Sequence, residues 1–391
     1  MTRQTKSTAV EDALKLLAEA GLDGMAGAIQ VLLNEAMKLE REQFLQAKSH
    51  ERTEERRGYA NGFKPKTVQS RLGALSLQVP QVRDVEDGES FYPQALERGE
   101  RSERALKLAL AEMYVQGVST RKVAAITEEL CGRQISSATV SRVSAELDGQ
   151  LEAWRKRPLG QLDYLVLDAM HEKVRHGGQV VSQATLSAIG IDPEGRRSIL
   201  GCSVSLSEAE VHWREFLSSL RERGVHGLRM IVSDDHEGLK AACTAVFPGV
   251  AWQRCQVHLQ RNATAYVPKV EMRKVVAREL RDVFNAPSRE DAERLLALMA
   301  ERHRKTAPKL AEWIETAVPE GFAVFALPVA HRRRLRSTNL MESLNSQVRR
   351  RTRVAGLFPN DASLLRLVSA VLMEISEEWE TGRRYLPKEN D

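Results

Sequence analysis

The sequence predicts an α/β protein with a mixed five-stranded sheet, preceded by a mainly helical N-terminal region and interrupted by a long helical block. Three observations support this class. Strand-like apolar segments cluster between residues 160 and 255 and alternate with helical stretches. Residues 261–335 show helical periodicity without a convincing strand candidate. Apolar residues make up 42% of the 391 residues, which is enough to form more than one buried core.

Residues 1–57 are predicted to form helices, because apolar side chains recur at helical spacing from Leu14 to Met37. Gly21 and Gly24 mark the break between two helices, and the charged segment ERTEERR is expected to end the second one. These helices could pair with a second copy or pack on the next domain, and the sequence leaves both open. No apolar run reaches the length of a membrane span, so we expect no membrane partner.

Residues 58–100 are predicted to contain a small basic β-hairpin, because short alternating segments lie between Gly, Asn and Pro. Residues 101–150 have helix-turn-helix spacing, with a helix of about ten residues, a short turn at Gly132 and a helix that opens Ser-Ser-Ala-Thr. Short polar and basic side chains there suit DNA contacts. The candidates are Arg121, Lys122, Ser137, Thr139 and Arg142. An ordinary helical hairpin is the alternative.

Five strands are predicted after a linker that ends at Gly160. They cover residues 162–167, 180–191, 197–206, 228–232 and 250–255. The first three form a meander, and two helices separate the last three, which describes a mixed sheet with helices on its faces. This domain is expected over residues 160–260 and again over 336–391, with residues 261–335 as an all-helical insertion.

Two acidic residues follow predicted strands, Asp168 after the first and Asp234 after the fourth. If the fourth strand lies beside the first, both carboxylates meet at the carboxyl ends of the strands, where chemistry collects in such sheets. Glu342 lies on a later helix that opens Ser-Thr-Asn. Two aspartates and a glutamate are hard oxygen ligands suited to Mg²⁺, and a pair of such ions can serve phosphodiester displacement.

Simpler interpretations of these acids remain open at this point. Asp234-x-x-Glu237 and Asn339-x-x-Glu342 could each be a capping box at the start of a helix. Asp163, Asp235 and Glu237 are rival carboxylates that spacing alone does not exclude.

Cys255 and His258 have ligand-like spacing, but a zinc site needs four partners and no second pair is visible. We therefore expect a buried cysteine and a hydrogen-bonded histidine near the edge of the sheet. The four cysteines are too scattered for a disulfide framework, which favours a reducing cytosol.

The distribution of charge points to a polyanion. The segment from His331 to Arg353 carries a net +7, while the whole chain carries +5, so the remainder nets −2. Its only acid is Glu342, which could instead be satisfied as a salt bridge. So many arginines repel one another unless a polyanion such as DNA neutralises them. The arginines are Arg332, Arg333, Arg334, Arg336, Arg349, Arg350, Arg351 and Arg353.

Long ordered segments resemble the Mutator-like family of bacterial insertion-sequence transposases. They include LDAMHEKVR, IVSDDHEGLKAA, WQRCQVHLQRNA and RSTNLMESLNSQVRRRTRVAGLFP, and the resemblance covers roughly residues 56 to 385. It implies a ribonuclease H-like catalytic domain with a helical insertion, and a catalytic Asp-Asp-Glu triad at Asp168, Asp234 and Glu342. It also places Cys255 and His258 near the active site and matches Asn339 and Asn345 to polar positions of the last motif.

The implied activity is that of a DDE transposase. The N-terminal region would bind terminal inverted repeats, and the triad would hold two Mg²⁺ ions, with Mn²⁺ as a possible substitute. Element ends would be cleaved and the 3′-hydroxyl transferred to target DNA, by at least a dimer acting in the bacterial cytoplasm and associated with the nucleoid when bound to DNA. The alternatives are a catalytically inactive DNA-binding regulator and a stand-alone ribonuclease H-like nuclease.

Overall fold

The computed structural model describes residues 8–48, 51, 53–70, 72–85, 89–96, 98, 104–116, 118–131 and 135–387. The chain divides into two compact units. The first is Met1–Tyr114 with Val118–Ser144, and the second is Val115–Gly117 with Ala145–Asp391.

The first unit combines helices with a two-stranded hairpin. Its elements are α1 (Ala9–Ala20), α2 (Met25–Leu45), β1 (Tyr59–Ser70), β2 (Gly73–Arg83), α3 (Arg104–Val115), α4 (Thr120–Cys131) and α5 (Ser137–Ala145). The predicted helix break is confirmed, because a short 3₁₀ turn, Gly21–Gly24, separates α1 from α2. The hairpin is also confirmed and is longer than its alternating segments indicated. Arg71, one of the basic residues of the predicted hairpin region, and the predicted turn at Gly132 lie outside the described residues.

Helix α2 packs along the hairpin. Buried Met37 meets Leu75, Leu77 and Val79 of β2, and the side chain of Gln30 accepts a hydrogen bond from the backbone of the same strand. The helix ends at Leu45, because Gln46 takes a left-handed conformation with φ of 50°. The expectation that the helix runs on into the charged segment ERTEERR was therefore wrong.

One described helical stretch, Ala9–Leu45, is long and apolar enough to cross a membrane by length and composition. A single stretch of this kind is weak evidence for a membrane protein. From the sequence, the best apolar run is residues 24–34, bracketed by Asp23 and Glu35, which is why no candidate span was predicted.

The second unit contains the five-stranded sheet and the helices around it. Its elements are α6 (Asp148–Lys156), β3 (Tyr164–His176), β4 (Gln179–Ile191), β5 (Arg197–Ser205), α7 (Glu210–Glu222), β6 (Met230–Ser233), α8 (Glu237–Val246), β7 (Ala251–Arg254), α9 (Gln256–Ala263), α10 (Val270–Phe284), α11 (Arg289–His303), α12 (Pro308–Ala317), α13 (Val329–Leu335), α14 (Asn339–Ala355) and α15 (Asp361–Thr381).

The strand order is β5-β4-β3-β6-β7. The first three strands in sequence pair antiparallel, and β6 and β7 then add parallel to β3. The predicted mixed sheet is thus confirmed, including the fourth strand beside the first, and it is consistent with a ribonuclease H-like fold. One boundary was wrong: β3 continues to His176, because its charged second half keeps pairing with β4 as far as Gln179.

The two faces of the sheet pack against different helices. On one face, Leu165, Leu167 and Leu186 join Trp213 and Leu217 of α7 in a continuous apolar core. Because side chains alternate along a strand, the intervening residues of β3 project to the opposite face, towards α14 and α15. The Ser376 side chain of α15 accepts a hydrogen bond from the β5 backbone there. This second face carries the polar residues discussed next.

Candidate active site

Asp168 and Asp234 occupy neighbouring positions on two adjacent parallel strands. Val166 pairs with Val232, so the same two-residue step along each chain leads to Asp168 and Asp234. Asp234 directly follows β6, as predicted, whereas Asp168 lies inside β3 and not at its end. Asp168 projects away from the Leu167 face, and the charge of Asp234 acts on it, so the topology brings these two predicted carboxylates close together.

Both carboxylate oxygens of Asp168 accept hydrogen bonds. The backbone N–H of Ala169 donates to Oδ1 at 2.9 Å, and Asn345 Nδ2 donates to Oδ2 at 2.8 Å. Burial, and then the nearby charge of Asp234, raise the pKa of Asp168 from 3.8 to about 7. Asn345, a predicted support residue on α14, therefore orients Asp168.

Glu208 is a further acid at this end of the sheet that the sequence did not single out. Burial, with added repulsion from Asp234, raises its pKa, and His171 Nε2 lies 3.7 Å from its carboxylate. Its segment approaches the start of α8 closely, because a Cβ at Gly238 would meet the Glu208 carbonyl oxygen at 2.7 Å. A side chain at position 238 would not fit between the two backbones. Gly238 is therefore the one feature of the sequence that could have pointed to this close approach.

The start of α14 is fastened to the end of β7. Cys255 is fully buried, and its Sγ accepts hydrogen bonds from the backbone N–H and the hydroxyl of Thr338, each at 3.3 Å. The Cys255 backbone N–H donates to Ser233 O at 2.8 Å, next to Asp234. Glu342, one turn after Thr338, is thereby held at the same end of the sheet as the two aspartates.

Glu342 contacts α9. Arg261 Nη1 lies 3.1 Å from its Oε1, and His258 Nε2 lies 3.5 Å from the same oxygen. The pKa of His258 is raised, chiefly by the adjacent Cys255 thiol. Burial alone would raise the pKa of Cys255, but His258 and Thr338 together lower it. Cys255 and His258 thus lie near Glu342, and Arg261 is a neighbour of Glu342 that the sequence did not indicate.

The three acids are not assembled into one ligand set. Among the residues that the structure describes, no three His, Cys, Asp or Glu side chains are arranged to hold a metal ion. Two crowded carboxylates nevertheless fit a divalent cation, because a cation between them would relieve the repulsion that raises the pKa of Asp168. Oε1 of Glu342 is paired with Arg261.

The structure supports one simpler interpretation of these acids, the salt bridge of Glu342, which forms with Arg261, but it does not support the capping boxes. The N-cap of α8 is His236 and that of α14 is Thr338, neither with a side-chain cap hydrogen bond, so neither motif is a capping box. Among the rival acids, Asp235 pairs with Arg254 at 2.7 Å and Asp163 faces Arg229 at 3.5 Å. Asp163 also precedes β3, at the opposite end of the sheet from Asp234.

The predicted arginine cluster separates into two groups. Arg332 donates to three backbone carbonyls, Arg336 bonds Asn285, and Arg351 pairs with Glu374. These three side chains are bound by acceptors of the protein itself, and Arg334 stacks on Tyr385. The exposed remainder is Arg333, Arg349, Arg350 and Arg353. Arg349 and Arg353 lie seven and eleven residues after Glu342, on the same face of α14.

Asn339 and the described side chains among the predicted DNA-contacting residues of α4 and α5 lie at the protein surface. Asn339 is exposed at the first turn of α14. Arg121, Lys122 and Arg142 are exposed on α4 and α5. Thr139 meets Ser136, which caps α5, and the side chain of Ser137 lies outside the described part of the chain.

Comparison with known proteins gives a consistent result. Residues 1–382 match the sequence model of the family described as "Transposase, Mutator family". The chain is 55% identical to the transposase for insertion sequence element IS406 of Burkholderia multivorans, with 99% of each chain covered. It is 42% identical to that for ISRM5 of Rhizobium meliloti, covering 98% of this chain and 94% of the relative.

A more distant relative is the IS256 transposase of Staphylococcus aureus, at 36% identity over 92% of each chain. Among solved structures, a chain from a simian T-cell lymphotropic virus intasome aligns at 13% identity over 44% of this chain and 70% of its own, with a TM-score of only 0.16.

Proposed function

This chain belongs to the Mutator family of transposases, and from that premise we propose that it is the transposase of an insertion sequence. It cleaves the ends of the element and transfers the released 3′-hydroxyl to target DNA. The observation that carries the proposal is the pair of Asp168 and Asp234 on neighbouring parallel strands, with the helix of Glu342 fastened beside them at Cys255.

We propose a ribonuclease H-like catalytic domain formed by residues 160–260 and 336–391, with residues 261–335 as a helical insertion. Support comes from the strand order, three antiparallel strands followed by two parallel ones, and from the helices α9 to α13 that separate β7 from α14. In the insertion, Glu320 bonds Arg254 at 2.9 Å, which ties it to β7.

Asp168 and Asp234, joined by Glu342, would hold two Mg²⁺ ions, or Mn²⁺ in their place. When bound, these ions stabilise the charge that develops on the attacking and leaving oxygens of a phosphodiester. The protein orients its ligands: Asn345 fixes the carboxylate of Asp168, and Cys255 fixes the helix of Glu342 through Thr338. Such supporting hydrogen bonds commonly change metal affinity 10- to 100-fold.

The exposed arginines of α14 form a positively charged surface that can bind the DNA backbone next to this site. Arg349 and Arg353 continue the helix face of Glu342, with Arg350 and Arg333 as further exposed cations in the same segment. Arginines contact phosphates without reading sequence. Recognition of terminal inverted repeats is assigned to the helix-turn-helix α4–α5 of the N-terminal unit, through exposed Arg121, Lys122 and Arg142. Because two element ends must meet, the active species is at least a dimer, acting in the bacterial cytoplasm.

The test is cleavage and joining of labelled element-end DNA by the full chain, with Mg²⁺, Mn²⁺, Ca²⁺ or a chelator. We expect strand cleavage and joining that depend on Mg²⁺ or Mn²⁺ and are lost in Asp168→Asn. The matched control, Asp163→Asn, alters an acid at the opposite end of the sheet and should keep both activities. Equal cleavage by wild type and Asp168→Asn would refute the site. Binding without cleavage would indicate a regulator, and cleavage without end preference or joining would indicate a nuclease.

A further inference from the structure

Glu342 is engaged by two donors of one helix. His258 and Arg261 are three residues apart on α9, so they share a face, and both approach Oε1 of Glu342. Asp168 and Asp234 influence each other electrostatically, yet no three acidic, His or Cys side chains in the described ranges form a metal-holding group. The third carboxylate of the proposed triad is therefore paired with a cation of the protein.

Helix α9 is a firm support for this pairing. The backbone of Cys255, just before it, donates to Ser233 O at 2.8 Å, and Gln256 N donates to Arg336 O at 2.9 Å. Gly321 lets the helical block approach α9 closely, because a Cβ there would meet Leu259 at 2.8 Å. A shift of α9 as a whole would break these contacts. Glu342 and Arg261 therefore separate most easily by rotation of their side chains, with α9 held in place.

The guanidinium of Arg261 remains open to a second anion. Its side chain is 61% exposed and that of Glu342 is 36% exposed. An exposed ion pair of this kind contributes little stability and exchanges readily. A phosphate diester can compete with Glu342 for this guanidinium, because it offers paired oxygens to the planar fork of donors just as a carboxylate does.

We propose that Arg261 is a positioning residue that keeps Glu342 away from Asp168 and Asp234 until a phosphate of the DNA backbone takes its place. In this arrangement the three-carboxylate ligand set is completed only when DNA lies across the site. The inference rests on the proposed metal-dependent function. It adds a restraint, the hold of Arg261 on Glu342, which delays metal binding by the third carboxylate until DNA is bound.

The test is Mn²⁺ binding to the full chain without DNA, followed by electron paramagnetic resonance. Arg261→Gln should bind Mn²⁺ about threefold to fivefold more tightly than wild type, the range expected for breaking an exposed ion pair. Arg261→Lys keeps the charge and should stay close to wild type. The matched control Arg278→Gln removes an exposed arginine of α10 and should not change the affinity.

A double-mutant cycle separates this mechanism from a general effect of removing positive charge. If Arg261 acts through Glu342, Arg261→Gln should change nothing in a Glu342→Gln background. A gain in affinity that persists there, or no gain with Glu342 intact, overturns the restraint. If the restraint is overturned in this way but Asp168→Asn still loses Mn²⁺ binding, the proposed metal site itself remains supported. No Mn²⁺ binding by wild type or any variant, with or without DNA, would instead refute the proposed function and the restraint together.

Discussion

Asp168 illustrates how the environment of a residue decides its role. Its two carboxylate oxygens accept from different donors, and its neighbour Asp234 carries a like charge on the next strand. The sequence predicted Asp168, Asp234 and Asn345 because they stand in recognisable motifs. It could not predict the pairing of Arg261 with Glu342, whose side chains come from residues 81 positions apart. That contact depends on how α9 and α14 meet at Cys255.

The hydrogen bond from Asn345 to Asp168 should matter for metal binding. Asn345→Ala removes a donor to a carboxylate, a bond worth about 1.5–3 kcal/mol, so we expect metal affinity and end cleavage to fall about 10- to 100-fold. Mn²⁺ titration and a cleavage assay on labelled DNA check this. Ser346→Ala alters the exposed neighbour on α14 and serves as control. Unchanged affinity in Asn345→Ala would show that Asp168 needs no such support.

At the scale of elements, strand positions followed from apolar runs, and β4, β5 and β6 lie within two residues of the predicted limits. The end of β3 was missed because His171 to His176 is too polar to be recognised as a strand. Pairing with β4, together with a bridge from Val174 to Phe358, keeps it extended. The end of α2 was missed for a related reason. The charged residues after Leu45 are compatible with a helix, and the left-handed turn at Gln46 is a local event that composition does not reveal.

Helix α7 should be a main source of stability for the sheet. Leu217 is fully buried against it, so Leu217→Ala should lower the free energy of unfolding by about 2–5 kcal/mol. Val211, on the same helix, is 55% exposed, and Val211→Ala should change it by less than about 0.5 kcal/mol. Urea denaturation measures both. Similar losses for the two variants would contradict the assigned packing of α7.

The link between the helical block and β7 should depend on pH. Burial would raise the pKa of Glu320, but hydrogen bonds from Lys240 and Arg254 lower it below 4.5. A carboxylate with a lowered folded-state pKa adds stability above its unfolded pKa, and that stability is lost as the pH falls through the folded value. Glu320→Gln should therefore lower the free energy of unfolding by about 1–2 kcal/mol at pH 7.

The difference between Glu320→Gln and wild type should shrink below about pH 4.5. Thermal unfolding from pH 3 to pH 7 measures it, with Glu312→Gln, an exposed acid of α12, as the control. A difference that stays constant over this range would mean that the ionised form of Glu320 contributes nothing.

At the scale of the whole molecule, the net charge of +5 gave only a mild indication of DNA. The local excess from His331 to Arg353 was the stronger signal, yet Arg332, Arg336 and Arg351 turn out to be bound by acceptors of the protein. Sequence could not separate the two groups, because an arginine that binds a buried carbonyl and one that faces solvent look alike in composition. The exposed group defines a narrower surface along α14.

That surface should account for part of the salt dependence of DNA binding. Replacing Arg349, Arg350 and Arg353 together with Gln should reduce the slope of log affinity against log salt by about 2–3, since each lost phosphate contact removes about 0.9. Fluorescence anisotropy with duplex DNA at several salt concentrations measures it. Arg273→Gln, at an exposed position of α10, should leave the slope unchanged. An unaltered slope in the triple variant would mean that the DNA backbone binds elsewhere on the protein and not along α14.

The convergence of Asp168, Asp234 and Glu342 on divalent cations is tested most directly by locating Mn²⁺ in crystals of the full chain bound to element-end DNA, from its anomalous scattering. The account predicts manganese peaks in contact with Asp168 and Asp234, with Glu342 turned from Arg261 towards them. Peaks away from these carboxylates, or none at all while DNA occupies the α14 surface, would contradict it.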